Sequence, residues 1–162
     1  MEVLKAISTL NLNDCWVGAG FIRNLIWDEL HSFQRSGLND IDIVYFDRNK
    51  NPFIESKIKE DLETRFPKNT FEIKNQFYMS EPNGDPEYKS TMDAISYWPE
   101  KETAIIARLN TSGTIEVCSP FELESIFDLH ITWNTKREQA IFQSRIQKKN
   151  WLQKWPLLSV KI

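Results

Sequence analysis

The sequence predicts an α+β fold, a mixed sheet of about five strands with helices packed on it, in a single domain spanning residues 1–162. Three observations support this prediction. Short apolar segments of strand character occur at five places, and they alternate irregularly with segments that have helical spacing. The 162 residues match the usual length of one domain, and a hydrophobic fraction of 41% with six Trp can fill its core. No internal repeat, low-complexity tract or linker interrupts the pattern.

The composition argues against several classes of function. A formal net charge of -3 and a pI near 5.5 give no strong attraction to nucleic acid or to an acidic membrane surface. The two cysteines, Cys15 and Cys118, lie in apolar strand-like runs, which favours free thiols without a disulfide partner. Because no apolar stretch reaches about 18 residues and the N-terminus has no signal-peptide pattern, we expect a cytoplasmic protein without a membrane partner.

The first elements lead into residues 15–47, the stretch around which the chain is organised. Residues 2–12 have apolar side chains at helical spacing and are followed by a short strand at residues 15–17. Small residues at positions 18–20 then form a turn into a second helix. The apolar face expected for this helix consists of Ile22, Leu25, Ile26 and Leu30.

Two carboxylates open the next strand. Asp40 and Asp42 stand two residues apart and therefore point to the same face of the strand. Ile41, Ile43 and Tyr45 alternate with them and are expected to face the core. Two acids on one face can share a divalent cation, and phosphoryl-transfer sites bind Mg²⁺ through one or two carboxylates plus the phosphates of the substrate. Such a pair alone is more often a solvated strand start than a metal site.

The middle of the chain continues the mixture of helices and strands. Asn51 is placed to cap a helix that begins at Pro52. The apolar stripe of this helix is Ile54, Ile58, Leu62 and Phe66. A strand at residues 70–79, with Phe71 and Ile73 inward, leads to residues 80–89, which we expect to be an exposed loop because they hold two Pro and one Gly.

The last third predicts a hairpin between helices. A helix capped by Ser90 or Thr91 runs to residue 98, strands follow at 103–109 and 114–118, and a further helix occupies 120–129. Thr135 and Glu138 have the spacing of a capping box for an amphipathic helix to about residue 149. The side chains expected to face inward from that helix and from the tail are Ile141, Phe142, Ile146, Trp151, Trp155 and Leu157.

The acids that follow the turn at residues 18–20 change the interpretation of that turn. Glycines let backbone N–H groups approach a phosphate, and a helix N-terminus offers unpaired donors and a positive dipole. A turn of this kind alone is more often a tight connection between a strand and a helix. The order of strand, turn, helix and acid-bearing strand favours a phosphate site over that structural alternative.

In this order the elements resemble the polymerase-beta-like nucleotidyltransferases, and the core resembles the head domain of tRNA CCA-adding enzymes. Those enzymes have a glycine pair, one residue, then Val-Arg-Asp, and later Asp-x-Asp. Here Ala19 and Gly20 take the pair and Ile22, Arg23 and Asn24 the triplet, so Ala19 and Asn24 depart from the pattern. A resemblance over most of the chain, to a bacterial group of nucleotidyltransferase-like proteins of unassigned function, is carried by GAGFIRNLIWDELH, NDIDIVYFD, KNQFYM, NGDPEYKSTMDAISYWPE and IEVCSPFELESIF.

The resemblance implies attack of an acceptor hydroxyl on the α-phosphate of a nucleoside triphosphate, with pyrophosphate leaving. Asp40 and Asp42 would be catalytic and would hold one or two Mg²⁺ ions. The nucleotide-binding residues that it implies are Gly18, Ala19, Gly20, Arg23, Asn24 and Asn39. We expect an exposed Arg23 to bind triphosphate oxygens from the first turn of its helix, against the alternative of an exposed arginine without a ligand.

A third carboxylate often completes such sites in this superfamily. Glu116, on a short strand followed by a proline, is the first candidate, and Glu72 is the second. For both, an exposed strand glutamate without a role is the structural alternative. His31 and His130 have no metal-like partner nearby in the sequence and are expected to be structural or exposed.

Two other functions remain open. One is a catalytically degenerate nucleotide-binding or regulatory module of the same fold, for which the departures at Ala19 and Asn24 are the motive. The other is CCA addition itself, against which the chain offers no basic helical body for tRNA. The expected partners are a nucleoside triphosphate and an acceptor that is a small molecule, a protein or an RNA, and a weak homo-oligomer is left open.

Overall fold

The computed structural model describes residues 1–37, 40–49 and 53–162. Its helices are α1 Glu2–Ser8, α2 Gly20–Leu30, α3 Ile54–Arg65, α4 Ser80–Asn83, α5 Thr91–Ile95, α6 Glu124–Phe127, α7 Gln139–Lys149 and α8 Trp151–Lys154. Its strands are β1 Trp16–Gly18, β2 Asp40–Tyr45, β3 Thr70–Asn75, β4 Ile106–Leu109, β5 Ile115–Cys118, β6 His130–Thr132 and β7 Ser159–Lys161. Short 3₁₀ helices occupy Gln76–Tyr78 and Lys101–Thr103.

The main sheet has five strands in the order β3-β2-β1-β4-β5. β2 and β3 run parallel, whereas β1 pairs antiparallel with both β2 and β4, and β4 and β5 form an antiparallel hairpin. The predicted α+β fold with a mixed five-stranded sheet is therefore confirmed. A second, parallel pair of β6 and β7 was not predicted, because strands of three residues are too short to show a period.

The two faces of β2 serve different purposes. Ile41 and Ile43 are fully buried in a core with α1, α3 and β3, and Tyr45 joins them. Asp40 and Asp42 lie on the opposite face together, as the alternation predicts. On that face, a separate hydrophobic core around Trp16 covers part of the sheet. The part that carries Asp40 and Asp42 lines a cavity instead.

The buried face of α2 differs from the predicted one. Leu25 and Leu30 are 42% and 39% exposed, whereas Arg23, Trp27 and Asp28 are buried. The reason lies at the other end of the chain. The indole of Trp155 packs edge-on against Trp27, with ring centroids 5.2 Å apart, and donates a 2.8 Å hydrogen bond to Asp28.

The entry to α7 also differs from the prediction. No side chain caps this helix, and Glu138 is itself the residue before its first turn, so the predicted capping box does not form. Phe142 is fully buried as predicted, but Ile141 is 44% exposed. In the tail, Trp155 is buried, whereas Leu157 is exposed and its neighbour Leu158 packs into the core instead.

Several helices are shorter than the sequence suggested. The helix predicted at 120–129 covers Glu124–Phe127 alone, and the one predicted to reach residue 98 ends at Ile95, with the side chain of Ser90 as its N-cap. The segment 80–89 is not wholly an exposed loop, since it contains α4 and the buried Tyr88. The predicted cap at Asn51 and helix start at Pro52 lie outside the described residues.

Two further expectations concern the chain as a whole. Within the part of the chain that the structure describes, no helix has the length and apolar character needed to cross a bilayer. Cys15 and Cys118 are both free thiols and are half-buried. Burial, followed by the charge of Asp14, raises the pKa of Cys15 to about 12, so its thiol is protonated at neutral pH.

Candidate active site

The turn between β1 and α2 owes its shape to Ala19. This residue has φ 53° and ψ -122°, a backbone conformation that residues other than glycine rarely adopt. Its N–H donates to the carbonyl of Ile105, and its own carbonyl accepts from the N–H of Arg23, both at 3.1 Å. Glycine would adopt this conformation without the steric cost that the Cβ of Ala19 brings.

The glycines on either side of Ala19 do not have positive φ, but each leaves little space for a side chain. A Cβ at Gly18 would lie 3.2 Å from the ring of Trp98, and a Cβ at Gly20 would lie 3.2 Å from the amide nitrogen of Asn24. No side chain caps the N-terminus of α2. Its first backbone N–H groups are therefore available to an anionic ligand.

The acid pair lies directly beside this turn. In the register of the sheet, Asp42 is opposite Gly18 on β1 and opposite Glu72 on β3, while Asp40 is opposite Thr70. The Thr70 hydroxyl donates a 2.6 Å hydrogen bond to Asp40. Asp42 is half-buried and Asp40 is exposed, so the two carboxylates differ in solvation although they share one face.

The surroundings of Asp42 disfavour its charged form. Burial raises the pKa of this carboxyl to about 6, and the charge of Glu72 adds to the effect. Arg23 and Lys149 act in the opposite direction, and Asp40 makes the smallest contribution to raising the pKa. A cation bound beside Asp42 would offset both the burial and the repulsion from Glu72.

The two candidates for a third carboxylate lie in different places. Glu72 stands next to Asp42 on the adjacent strand and lines two cavities together with it. Glu116 lies on β5, three strand-to-strand steps from β2, which amounts to roughly 14 Å at about 4.8 Å per step. There Glu116 accepts a 2.8 Å hydrogen bond from Arg108, whose guanidinium lies over the Trp16 ring.

Three cavities meet at Asp42. A cavity of about 250 Å³ extends from the residue 18–20 turn and Asp40 towards α7 and α8. A larger one of about 600 Å³ lies between the sheet and the segment around α4. The third, of about 460 Å³, opens along β3 and α3. The side chains that line the first cavity include Arg23, Asn24, Thr103, Arg145, Lys149, Trp151 and Lys154.

Arg23 is not exposed, contrary to the sequence-based expectation. It is 6% exposed, and its guanidinium lies 4.5 Å from the ring centroid of Trp151 and 5.0 Å from that of Trp27. Its Nη atoms donate to the hydroxyl of Thr103 at 2.7 Å and to Asn24 at 2.9 Å. Burial lowers its pKa to about 10, so it stays protonated at neutral pH and carries a positive charge into the wall of the cavity.

Behind Arg23 lie acids that the sequence analysis missed. Glu100 is fully buried and receives two hydrogen bonds from Arg145, at 2.6 and 3.2 Å. Glu102 is 3% exposed and accepts from the backbone N–H of Thr132 at 2.7 Å. The only signal in the sequence was the isolated pair of glutamates after Pro99, which local patterns assign to an exposed turn.

The remaining predicted residues have varied positions. Asn24 is half-buried and accepts from Arg23, and Asn39 lies outside the described residues. His31 is buried, with Nδ1 2.7 Å from the carbonyl of Trp27 and Nε2 accepting from the N–H of Leu157, which confirms a structural position. His130 is half-buried on β6.

The acids can be tested for their fit to a divalent cation. In residues 1–37, 40–49 and 53–162, no three Asp, Glu, His or Cys side chains converge closely enough to form a complete metal site. Asp40 and Asp42 nevertheless line two cavities together, and Glu72 joins them in one of these. Two carboxylates at the wall of a cavity suit Mg²⁺ held jointly by protein and substrate phosphates, and the raised pKa of Asp42 is consistent with a position that a cation would neutralise.

Comparison with known proteins identifies the family of this chain. A family model described as nucleotidyltransferase matches residues 5–160. An NMR structure reported to reveal a CCA-adding enzyme head domain is 33% identical, with 99% of this chain and 88% of that chain covered and a TM-score of 0.89.

A second solved structure shares the fold alone. It is described as tRNA-processing enzyme complex 3, is 14% identical, and aligns over 93% of this chain and 40% of its own with a TM-score of 0.52. The search of curated proteins gave no match. Since the family model spans nearly the whole sequence and a 33% identical structure covers 99% of it, the chain belongs to the nucleotidyltransferase family.

Proposed function

We propose that this protein transfers a nucleoside monophosphate from a nucleoside triphosphate to a hydroxyl acceptor at Asp42. One observation carries the proposal. The uncapped N-terminus of α2, the partly buried acid of β2 and the cationic side chains of α7 and α8 all meet at one cavity. In the reaction, the acceptor oxygen forms a bond to the α-phosphorus, the bond from that phosphorus to the bridging oxygen breaks, and pyrophosphate leaves.

Asp40 and Asp42 are the residues that would hold Mg²⁺, jointly with the phosphates of the donor. When bound, the ion supplies positive charge that stabilises the transferring phosphoryl group. We propose Glu72 as the third carboxylate in place of Glu116. Glu72 is adjacent to Asp42, whereas Glu116 lies on the edge strand β5 and is ion-paired with Arg108. Glu72 is exposed and its ion pair with Lys74 is long, at 3.5 Å, so one of its oxygens would accept the proton of the attacking hydroxyl.

The other residues of the site would position the donor. The backbone N–H groups at the start of α2 would bind phosphate oxygens, since no side chain caps this helix and Ala19 and Gly20 line the cavity. Arg23 would add a fixed positive charge, since stacking on two indoles and bonding to Thr103 leave it little freedom. This preorganisation is the main means by which a protein accelerates phosphoryl transfer.

The 600 Å³ cavity is the proposed place of the acceptor or of the donor's nucleoside. Its volume is in the range of small-molecule sites, and its lining mixes the apolar Met79 and Trp98 with the amides of Gln76 and Asn83. Arg137 also lines it but is ion-paired with Asp85 at 2.5 Å. A cavity of this kind suits a small molecule or the end of a larger acceptor.

A nucleotide-binding module without transfer is the second candidate. It is favoured by the lack of three convergent metal-ligand side chains in the described residues, and by the hydrogen bond that Thr70 donates to Asp40. The two candidates share the donor site and differ in whether product forms. Both predict binding of a nucleoside triphosphate.

A two-stage experiment tests the proposal. Melting temperature is first measured with Mg²⁺ and non-hydrolysable analogues of the four nucleoside triphosphates, where binding should raise it as ligand concentration exceeds Kd. Triphosphates labelled at the α-phosphate are then incubated with small hydroxyl compounds, proteins and tRNA in separate pools. Labelled product in one pool supports transfer. A shift in melting temperature without product in any pool favours the binding module, and no shift at millimolar ligand contradicts both.

A further inference from the structure

The C-terminal helices supply a basic wall to the 250 Å³ cavity. Arg145 on α7, Lys149 at the end of α7 and Lys154 on α8 line it, and so do Asp40 and Asp42. We call the first three side chains the basic wall. Its residues lie more than a hundred positions after the acids. The basic wall is therefore separate in sequence from the turn at residues 18–20 and from the acid pair.

The lysines of the basic wall differ from its arginine. Arg145 is neutralised by its two hydrogen bonds to the buried Glu100. Neither Lys149 nor Lys154 forms an ion pair with a carboxylate within the described part of the chain, and both are exposed. Lys154 lies over the ring of Trp155 at 4.3 Å from its centroid, which fixes its stem beside the cavity.

A buried cation lies deeper in the same cavity. Arg23 also lines it, and the hydrogen bonds of its guanidinium to described residues go to neutral oxygen atoms of Thr103 and Asn24. Its Nε atom is buried and has no hydrogen-bond partner among the described residues. An arginine in this state is a donor whose charge is not matched by a direct carboxylate contact.

The charges of the cavity identify the class of its ligand. Four cationic side chains and two carboxylates line it, and Glu100 offsets one of the cations. A divalent cation on Asp40 and Asp42 would cancel the two acids and leave Arg23, Lys149 and Lys154 in excess. A ligand that carries several negative charges within a few ångströms, such as a diphosphate group, matches this excess.

We propose that Lys149 and Lys154 bind the β- and γ-phosphates of the donor and then the pyrophosphate product. This inference rests on the proposed function, because it assigns the part of the donor that lies away from the acceptor. The α-phosphate would lie at Asp42, and the 250 Å³ cavity would hold the leaving group. The adjoining 600 Å³ cavity, which shares Ala19, Asp42, Thr103 and Arg145 with it, is left for the rest of the reactants.

Binding of inorganic pyrophosphate with Mg²⁺ tests the proposal by calorimetry. The variants are Lys149→Ala with Lys154→Ala, and Lys148→Ala as the matched control. Lys148 is an exposed lysine on the same helix that does not line the cavity. The double variant should raise Kd for pyrophosphate and for a non-hydrolysable triphosphate by at least about tenfold, since two charge-assisted contacts are lost. Lys148→Ala should stay within about twofold, and Lys149→Arg with Lys154→Arg should bind nearly as the wild type does.

A nucleoside monophosphate provides the second arm of this experiment. It lacks the two outer phosphates, so its affinity should be unchanged by the double alanine variant. Equal loss for the monophosphate and the triphosphate would overturn the assignment of the lysines to the outer phosphates, and so would equal losses in the double variant and Lys148→Ala. Normal binding by the double variant, with loss in Asp42→Asn, would overturn this inference and leave the proposed function standing. A wild type that binds no triphosphate would overturn both.

Discussion

At the scale of single residues, the properties of the site depend most on Asp42. Its carboxyl lies beside the glycine turn, is half-buried, and has a pKa raised to about 6 by burial and by Glu72. In the unfolded chain an aspartate titrates near 3.9. Well below pH 3.9 the carboxyl is protonated in both states, so the shift in its pKa has no effect on stability there. As pH rises towards 6 the unfolded chain loses its proton first, so the charged Asp42 destabilises the fold above that range.

We therefore expect Asp42→Asn to stabilise the metal-free protein in a pH-dependent way. The variant and the wild type should melt at nearly the same temperature at pH 3, and the variant should melt higher at pH 7.5. Melting curves in EDTA between these values measure the difference. A difference that stays constant over the whole range would show that burial and Glu72 do not shift the titration of this carboxyl.

Ala19 gives a second prediction at this scale. Its positive φ stores strain of about 1–3 kcal/mol, and glycine at the same position costs about 0.5–1 kcal/mol in chain entropy. Ala19→Gly should therefore raise the free energy of unfolding by about 1 kcal/mol, as measured by urea denaturation. Ala6→Gly in α1, where the backbone is helical, is the control and should lower it by a similar amount. A loss of stability in both variants would contradict strain at Ala19.

At the scale of elements, α2 shows how the rest of the fold overrides a local pattern. Its sequence places Leu25 and Leu30 on an apolar face, yet both are exposed. The face that packs carries Arg23 and Asp28 because the tail supplies indoles that stack on the first and donate to the second. The Asp28–Trp155 hydrogen bond joins residues 127 positions apart, a distance that no helical periodicity can reveal.

This packing predicts different costs for two substitutions on the same helix. Arg23→Ala removes two cation–π contacts and leaves a cavity, and it should lower the free energy of unfolding by about 2–4 kcal/mol. Leu25→Ala, at an exposed position, should cost less than about 1 kcal/mol. Denaturation at equal protein concentration measures both. A larger cost for Leu25 would mean that α2 buries the face that its sequence suggests.

The positions of Glu72 on β3 and Glu116 on β5 give a prediction about catalysis. Glu72→Gln removes the charge next to Asp42 and should reduce transfer by about a hundredfold, the scale on which loss of one electrostatic stabiliser acts. Glu116→Gln, on the distant β5, should leave turnover within about threefold, although it breaks the ion pair with Arg108. Initial rates at saturating triphosphate compare the two. The opposite ranking would restore Glu116 as the third carboxylate.

At the scale of the whole molecule, the sequence predicted what depends on short periods and order. The alternation along β2 separated Asp40 and Asp42 from the core residues Ile41 and Ile43, and the structure confirms it. The mixed sheet followed from the sequence of strands and helices. The basic wall could not be predicted, because Lys149 and Lys154 have the local pattern of a solvated helix end. The burial of Glu100 could not be predicted either, because its partner Arg145 lies 45 residues away in the sequence.

The most direct test of the account is Mg²⁺-dependent transfer by the wild type and Asp42→Asn. Each nucleoside triphosphate, labelled at the α-phosphate, is incubated with a pool of small hydroxyl compounds, proteins and tRNA, and labelled product is separated from the donor. We predict product with the wild type that disappears in EDTA. We also predict at least about a hundredfold less product with Asp42→Asn, while its melting temperature is unchanged or higher. Normal labelling by a folded Asp42→Asn variant would contradict the assignment of Asp42 as the centre of the active site.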